Sequence, residues 1–255
     1  MANTFKVVTF AAEPASAGTE YVLYTTAGST ITAVTDKASN FTITVDGTPT
    51  TGTTLNSLAT ATFDGNENLT STGTGPYADS GNHYAVGIFQ WASTTSTRDS
   101  FWSADAGRTY AISSSDSSNG WPGEIDYDGS NQISFGKAKQ DFTVSVSQNT
   151  WTIVSTSFNK TGNEIFGRIN GSQASAGDPY STSMSSVADF RLMRNRSSVE
   201  LAGKAAEFFW VAGPTGTGGT DISNVEKAEG YIAWKWGLQG NLPVSHPYKT
   251  AAPTT

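Results

Sequence analysis

The chain has 255 residues, 36% of them hydrophobic and 11% aromatic, with no Cys and a formal net charge of -7. The lack of Cys excludes disulfide staples, thiolate metal sites and thiol nucleophiles. Fifteen Lys and Arg face 22 Asp and Glu, and Arg191, Arg194 and Arg196 form the densest basic group, so nucleic acid is not an expected partner. No apolar run has membrane-spanning length or signal-peptide form, so neither membrane insertion nor a leader is expected.

In chain order, residues 5–10, 21–25 and 29–34 read as strands, with Pro14, Ser16 and Gly18 between the first two. Three strands bury too little core to stand alone. Residues 1–57 are therefore expected to form an N-terminal β segment for anchoring or oligomerisation, closed by a Thr- and Gly-rich linker at 48–59. Residues 41–45 alternate cleanly and end at Asp46-Gly47, a hairpin turn signal.

A compact domain is expected over 58–255, with strands at 61–63, 69–71, 84–91, 109–113, 124–127, 132–135, 142–146, 151–158, 164–169, 189–193 and 206–211. Turns fall at Asp64-Gly65, Asp128-Gly129, Asn149, Asn159, Asn170-Gly171 and 213–219. Short strands at this spacing predict an antiparallel sandwich or barrel rather than alternating βα units. Residues 84–91 are apolar on both faces, which places them in a central strand. Trp151-Thr152-Ile153-Val154-Ser155 mixes its faces, which places it nearer an edge.

Residues 225–238 form the one long helical pattern. Ile222, Val225, Ala228 or Glu229, Ile232 and Trp236 make its apolar stripe, widened by Tyr231 and Trp234. Thr220 or Asp221 can cap it, Glu226 and Glu229 lie early and Lys235 late as the dipole prefers, and Gly237 is a natural stop. The helix is expected near 221–237, docked on the sandwich.

Two segments carry a resemblance. Gly203-Lys204-Ala205-Ala206-Glu207-Phe208-Phe209-Trp210 precedes a Gly-rich break and Glu229-Gly230-Tyr231-Ile232-Ala233-Trp234-Lys235-Trp236-Gly237-Leu238, then Leu242-Pro243 and His246-Pro247-Tyr248. Together they resemble the end of concanavalin A-like, or laminin G-like, jelly rolls. Ala61-Thr62-Phe63-Asp64-Gly65-Asn66-Glu67-Asn68-Leu69 looks like the opening strand of that family, and Arg168-Ile169-Asn170-Gly171 like its middle hairpin. The resemblance covers about 58–250 and implies an all-β sandwich of two antiparallel sheets with one C-terminal helix, often with a concave face that meets carbohydrate. Residues 1–34 look similar to short β modules that open head-fibre and decoration proteins of tailed phages. That likeness implies a virion surface protein, assembled in the host cytoplasm, partnered by a major capsid or portal and tail protein and by copies of itself.

Glu124, Asp126 and Asp128 would share one face of a strand, and paired carboxylates about 5 Å apart serve a retaining glycosidase. The arrangement also resembles the Glu-x-Asp-x-x-Glu strand of jelly-roll glucanases, with Glu124 as nucleophile and Asp126 as its helper. The matching acid position holds Gly129, so a solvated strand end is favoured over catalysis, and no catalytic residue is expected. Asp64, Glu67, Asp79, Asp105, Asp116 and Asp178 sit in loops that could offer calcium oxygens but read better as turn formers. His83 and His246 are too few for zinc, no Gly-x-Ser-x-Gly elbow supports a Ser-His-Asp triad, and no metal or cofactor is expected.

Loop aromatics are the binding candidates, since a sugar presents an apolar C–H face to a flat ring and hydroxyls to polar neighbours. Trp121 with Glu124 and Asp126, Trp102 with Arg98 and Asp105, and Tyr180 after Pro179 could form such platforms. Packing competes with binding evenly at Trp121 and is favoured at Trp102. The sequence thus predicts a non-enzymatic virion surface protein with possible glycan contact; the alternatives are a carbohydrate-binding module proper or a glycoside hydrolase using Glu124.

Overall fold

Alternating Thr, aromatic and aliphatic residues set up pleated strands along most of the chain. The structure is a computed structural model that describes residues 18–22, 30–36, 42–72, 83–93, 99–105, 125–127, 132–135, 144–159, 164–173, 178–179, 189–194, 200–212 and 222–254. The first strands are β1 (Gly18–Val22), β2 (Thr35–Asp36), β3 (Thr42–Asp46), β4 (Thr50–Leu55), β5 (Leu58–Phe63) and β6 (Asn68–Thr72). Next come β7 (His83–Ser93), β8 (Asp99–Ser100), β9 (Trp102–Asp105), β10 (Ile125–Tyr127), β11 (Gln132–Phe135) and β12 (Val144–Ser145). The rest are β13 (Thr152–Asn159), β14 (Glu164–Ile169), β15 (Ser172–Gln173), β16 (Asp178–Pro179), β17 (Asp189–Leu192) and β18 (Ala202–Ala212), followed by helix α1 (Ile222–Lys235).

The fold has two antiparallel layers and one closing helix. A ten-stranded sheet runs β15-β14-β13-β7-β18-β1-β2, with β16 on β14 and the β4–β5 hairpin on β18. The second layer comprises β3-β6-β17-β9 and β12-β11-β10-β8, which meet in the chain at Phe101 between β8 and β9. The expected central strand at 84–91 is β7, held between β13 and β18. β13 is interior too, between β14 and β7, rather than near an edge. Its Ser155, Thr156 and Ser157 are buried, and Ser155 faces a polar group described below.

The boundary expected at 57/58 falls inside a tight hairpin. β4 and β5 pair with Leu55 opposite Leu58, and Asn56 and Ser57 take the left-handed turn at φ 49° and 64°. β1 also lies within the large sheet, paired with β18 from Gly18 opposite Val211 to Val22 opposite Glu207. Ile31 and Val34 are core residues, and Thr30 bridges Thr50. The strand expected at 29–34 reduces to that bridge, and the linker expected at 48–59 is mostly strand.

Asp46-Gly47 does not close a hairpin. β3 pairs with β6 while β4 pairs with β5, so 47–49 and 64–67 are twin crossings between the two layers. Glu67 ties them: its Oε2 accepts the Asp64 N–H at 2.9 Å and its Oε1 accepts the Thr48 hydroxyl at 3.5 Å. Asp64 Oδ1 in turn accepts the Asn66 N–H at 2.9 Å, the turn-forming role expected of this acid.

The period of two along β7 divides the core. Phe89 and Trp91 face the second layer with Phe63 and Phe208, where they meet Phe101 and Trp102. Tyr84, Val86 and Ile88 face the other way, with Ile153 and Ala206, and pack under Val225, Ala228, Ile232, Ala233 and Trp236 of the helix region. α1 ends at Lys235, and Gly237 just beyond it has a φ of 72°, which suits a glycine C′ stop.

Candidate functional site

Trp121, Glu124, Arg98 and Tyr180 lie outside the described residues. Asp126 is in β10, the second strand of its sheet from the β8 edge, opposite Ser100 on one side and Ser134 on the other. Trp102 is 1% exposed. Its ring lies 5.2 Å from Phe208 and 6.0 Å from Phe89, between the layers, so it packs the core and offers no face to a sugar. The packing reading of this residue therefore replaces the platform reading.

The densest polar chemistry among the described residues lies under α1. Ser155 on β13 and Arg168 on β14 are cross-strand partners on the helix-facing side of the sheet. Glu229 descends onto them from α1, fully buried. The Ser155 hydroxyl donates to Glu229 Oε1. Arg168 Nε donates to Oε1 at 2.9 Å and Nη2 to Oε2 at 3.1 Å, a side-on fork. Arg168 Nη2 also donates to the Gly171 carbonyl at 2.6 Å and to Glu226 Oε1 at 3.4 Å.

His246 completes the group from the C-terminal segment. Its Nδ1 accepts the Tyr248 N–H at 3.2 Å, which leaves Nε2 to carry the proton and donate to Glu229 Oε2 at 3.2 Å. Burial raises the pKa of the Glu229 carboxyl; the His246 hydrogen bond, the Arg168 charge, and the hydrogen bonds from Arg168 and Ser155 outweigh it and hold the pKa below its ordinary value.

Ser, His and Glu in contact suggest hydrolytic chemistry, but the order is wrong for it. The carboxylate sits between hydroxyl and imidazole, so His246 cannot take a proton from Ser155, as nucleophilic catalysis requires. The Ser155, Glu229 and His246 side chains are all sealed from solvent. The group clamps the helix, the β13–β14 pair and the C-terminal segment together.

A second clamp fixes the far end of the helix. Glu207, buried on β18, accepts the Trp236 indole N–H and pairs with Lys235. Beyond it the chain folds back: Trp234 Nε1 donates to the Tyr248 carbonyl at 2.8 Å, and Lys249 Nζ donates to the carbonyls of Gln239, Gly240 and Leu242. Gly230 is the seat for Tyr248, since a Cβ there would lie 2.5 Å from the tyrosine Cβ. Gly230→Ala is expected to displace Tyr248 and cost about 1–3 kcal/mol, partly offset by ~1 kcal/mol of helix propensity. A net fall in the urea midpoint, with increased exchange of the Tyr248 amide, would check this.

By sequence Glu229 fits either the early, dipole-facing acids or, in place of Ala228, the apolar stripe; α1 has no acid in its first turn, and Glu229 is buried on the stripe. Its signal was positional: Glu229 falls four residues after Val225 and three before Ile232, inside the apolar stripe. A carboxylate at such a position needs a buried cation, and Arg168 is that cation.

No protein-family model matches the chain, and no curated protein matches it either. Solved structures match in fold. Domain 4 of AbnA, an extracellular GH43 arabinanase of Geobacillus stearothermophilus solved with arabinotriose, has TM-score 0.52 at 16% identity, covering 74% of this chain and 94% of that one. The binding domain of botulinum neurotoxin DC, solved with rat synaptotagmin II, has TM-score 0.53 at 12% identity, covering 77% of this chain and 48% of that one. Trypanosoma rangeli sialidase has TM-score 0.55 at 9% identity, covering 78% of this chain and 31% of that one. The chain thus spans nearly all of the arabinanase domain but less than half of the other two chains. What it shares with them is the antiparallel β-sandwich.

Proposed function

We propose that this chain is a non-catalytic, glycan-contacting β-sandwich carried on the surface of a phage particle and assembled there in the host cytoplasm. The observation that supports glycan contact is the shared fold with the arabinanase domain bound to arabinotriose, matched over 94% of that domain's length. In this reading Trp121 supplies the aromatic platform, with Glu124, Asp126, Arg98 and Tyr180 as polar and aromatic neighbours. Glycan contact without turnover fits the sequence around Glu124, where Gly129 stands in place of a proton-donating acid. The particle placement rests on the likeness of residues 1–34 to phage modules, with a capsid or tail protein and further copies of the chain as partners.

Calorimetric titration with arabinotriose and a panel of other oligosaccharides is the test. Binding should be present, and Trp121→Ala should weaken it by about tenfold, ~1.4 kcal/mol, with an unchanged melting midpoint. A blank panel, or release of reducing sugar, would overturn the glycan-binding or the non-catalytic part respectively. Absence of the protein from purified particles would overturn the placement alone.

A further inference from the structure

Resting on the reading that further copies of the chain are partners, we infer that β3 is the seam between copies. Two β3 edges pair antiparallel about a twofold axis, which joins two β3-β6-β17-β9 sheets into one. A sheet edge is a row of unpaired N–H and C=O groups that takes up another strand unless the fold blunts it. The other edge strands among the described residues are blunted or short. β2, β8, β12, β15 and β16 have two residues each, and β16 ends in Pro179. β4 is irregular, with a register shift between Thr51 and Thr53, and Thr30 bridges its Thr50. β9 has four residues and runs through Phe101 into β8 of the neighbouring sheet. β3 has five residues without Pro, Gly or Lys, and pairs in unbroken register with β6 from Thr42 opposite Thr72 to Asp46 opposite Asn68. On its other side no strand pairs with it among the described residues.

Side-chain burial runs out at the same edge. An apolar row crosses the inner face of this sheet, with Val45 opposite Leu69, Leu69 opposite Leu192 and Leu192 opposite Trp102. Leu69, Leu192 and Trp102 are sealed, whereas Val45 and Ile43 are only half-buried because the row stops at β3. The strand is also complementary to itself, which selects a second copy as the occupant. Antiparallel pairing centred on Thr44 matches all five residues and sets Ile43 opposite Val45 of the second copy, so the apolar row continues across the seam. Thr42 then stands opposite Asp46 of the second copy, a hydroxyl donor against a carboxylate whose side chain is 64% exposed. Thr44 meets its own counterpart at the axis, and no like charges face each other.

Five residues per copy make a contact smaller than the about 1,200 Å² of a standard interface, so association is expected in the micromolar range and gains where several copies are held on one particle. The test is sedimentation velocity of the full chain over a concentration series up to about 0.5 mM. Thr44 is exposed, so Thr44→Lys and Thr44→Glu should keep the wild-type urea midpoint. Each alone places like charges on the axis and should weaken association by about tenfold or more, and an equimolar mixture of the two should restore it. Thr42→Lys, facing Asp46 of the second copy, should tighten association about threefold at low salt. A wild-type chain that stays monomeric throughout, or that associates equally well with either charge at position 44, overturns the seam. Weakening by both variants without recovery in the mixture overturns the twofold register. Glycan titration is independent of these outcomes: a monomeric chain leaves the glycan reading standing, and a blank glycan panel leaves the seam standing.

Discussion

Glu229→Ala should lower the free energy of unfolding by about 3–5 kcal/mol, because it removes the buried carboxylate that forks onto the Arg168 guanidinium and leaves only the longer, partly exposed contact to Glu226 at 3.4 Å. Arg168 has 6% side-chain exposure, so water cannot replace the lost partner. A urea denaturation series measures the loss directly. A double variant, Glu229→Leu with Arg168→Met, should recover much of it, because removing both charges is far less costly than removing one. If the single variant unfolds at the wild-type midpoint, the clamp contributes nothing and the account of the helix face is wrong.

The same residue sets an acid limit. The folded-state pKa of Glu229 lies below its ordinary value of 4.5, so its stabilisation is complete above that value. It is lost as the pH falls through the folded pKa, where folded and unfolded states both bind the proton. The stability gap between the wild type and Glu229→Gln should therefore be widest above 4.5 and narrow steadily on acidification below it. A gap that widens toward acid would contradict the lowered pKa.

The second large effect is expected at Trp102. Trp102→Ala should cost about 3–5 kcal/mol, the range for deleting a large buried aromatic ring. The void would open between Phe208 and Phe89, in the layer of rings that joins the two sheets. Thermal or urea unfolding reads the loss. Under the folded baseline, glycan affinity should be unchanged, which separates this residue from Trp121. Lost affinity with intact stability would restore Trp102 as a contact residue.

The sandwich was legible because its signals are local. Apolar character on both faces of 84–91 requires cover on both sides, and β7 has it. The helix was legible from its stripe and its glycine stop. Pairing was less visible: Asp46-Gly47 carries a hairpin signature, yet it turns the chain from one layer to the other. Its neighbour across the crossing, Glu67, is 19 residues from Thr48, a separation no turn rule reaches. The pairing of β1 was out of reach for the same reason, since its partner β18 lies near the other end of the sequence.

The polar clamp was legible only in part. The mixed faces of Trp151-Thr152-Ile153-Val154-Ser155 suggest a strand nearer an edge, because a hydroxyl such as that of Ser155 on an apolar strand normally means solvent. Here it meets a carboxylate 74 residues away. The C-terminal signature residues, by contrast, now have individual reasons: Gly230 seats Tyr248, Trp236 binds Glu207, and His246 reaches Glu229. Among the binding candidates, burial removed Trp102 and register placed Asp126.

The order of elements along the chain has a consequence for biosynthesis. β7 and β13 leave the ribosome well before α1, so the side of the sheet bearing Tyr84, Val86, Ile88 and Ile153 stays bare while the nascent chain grows. An apolar surface held open that long invites chaperone capture or premature association between chains. Covering that surface then hinges on α1, made after the strands it packs against, and its clasp on Arg168 makes that docking hard to reverse.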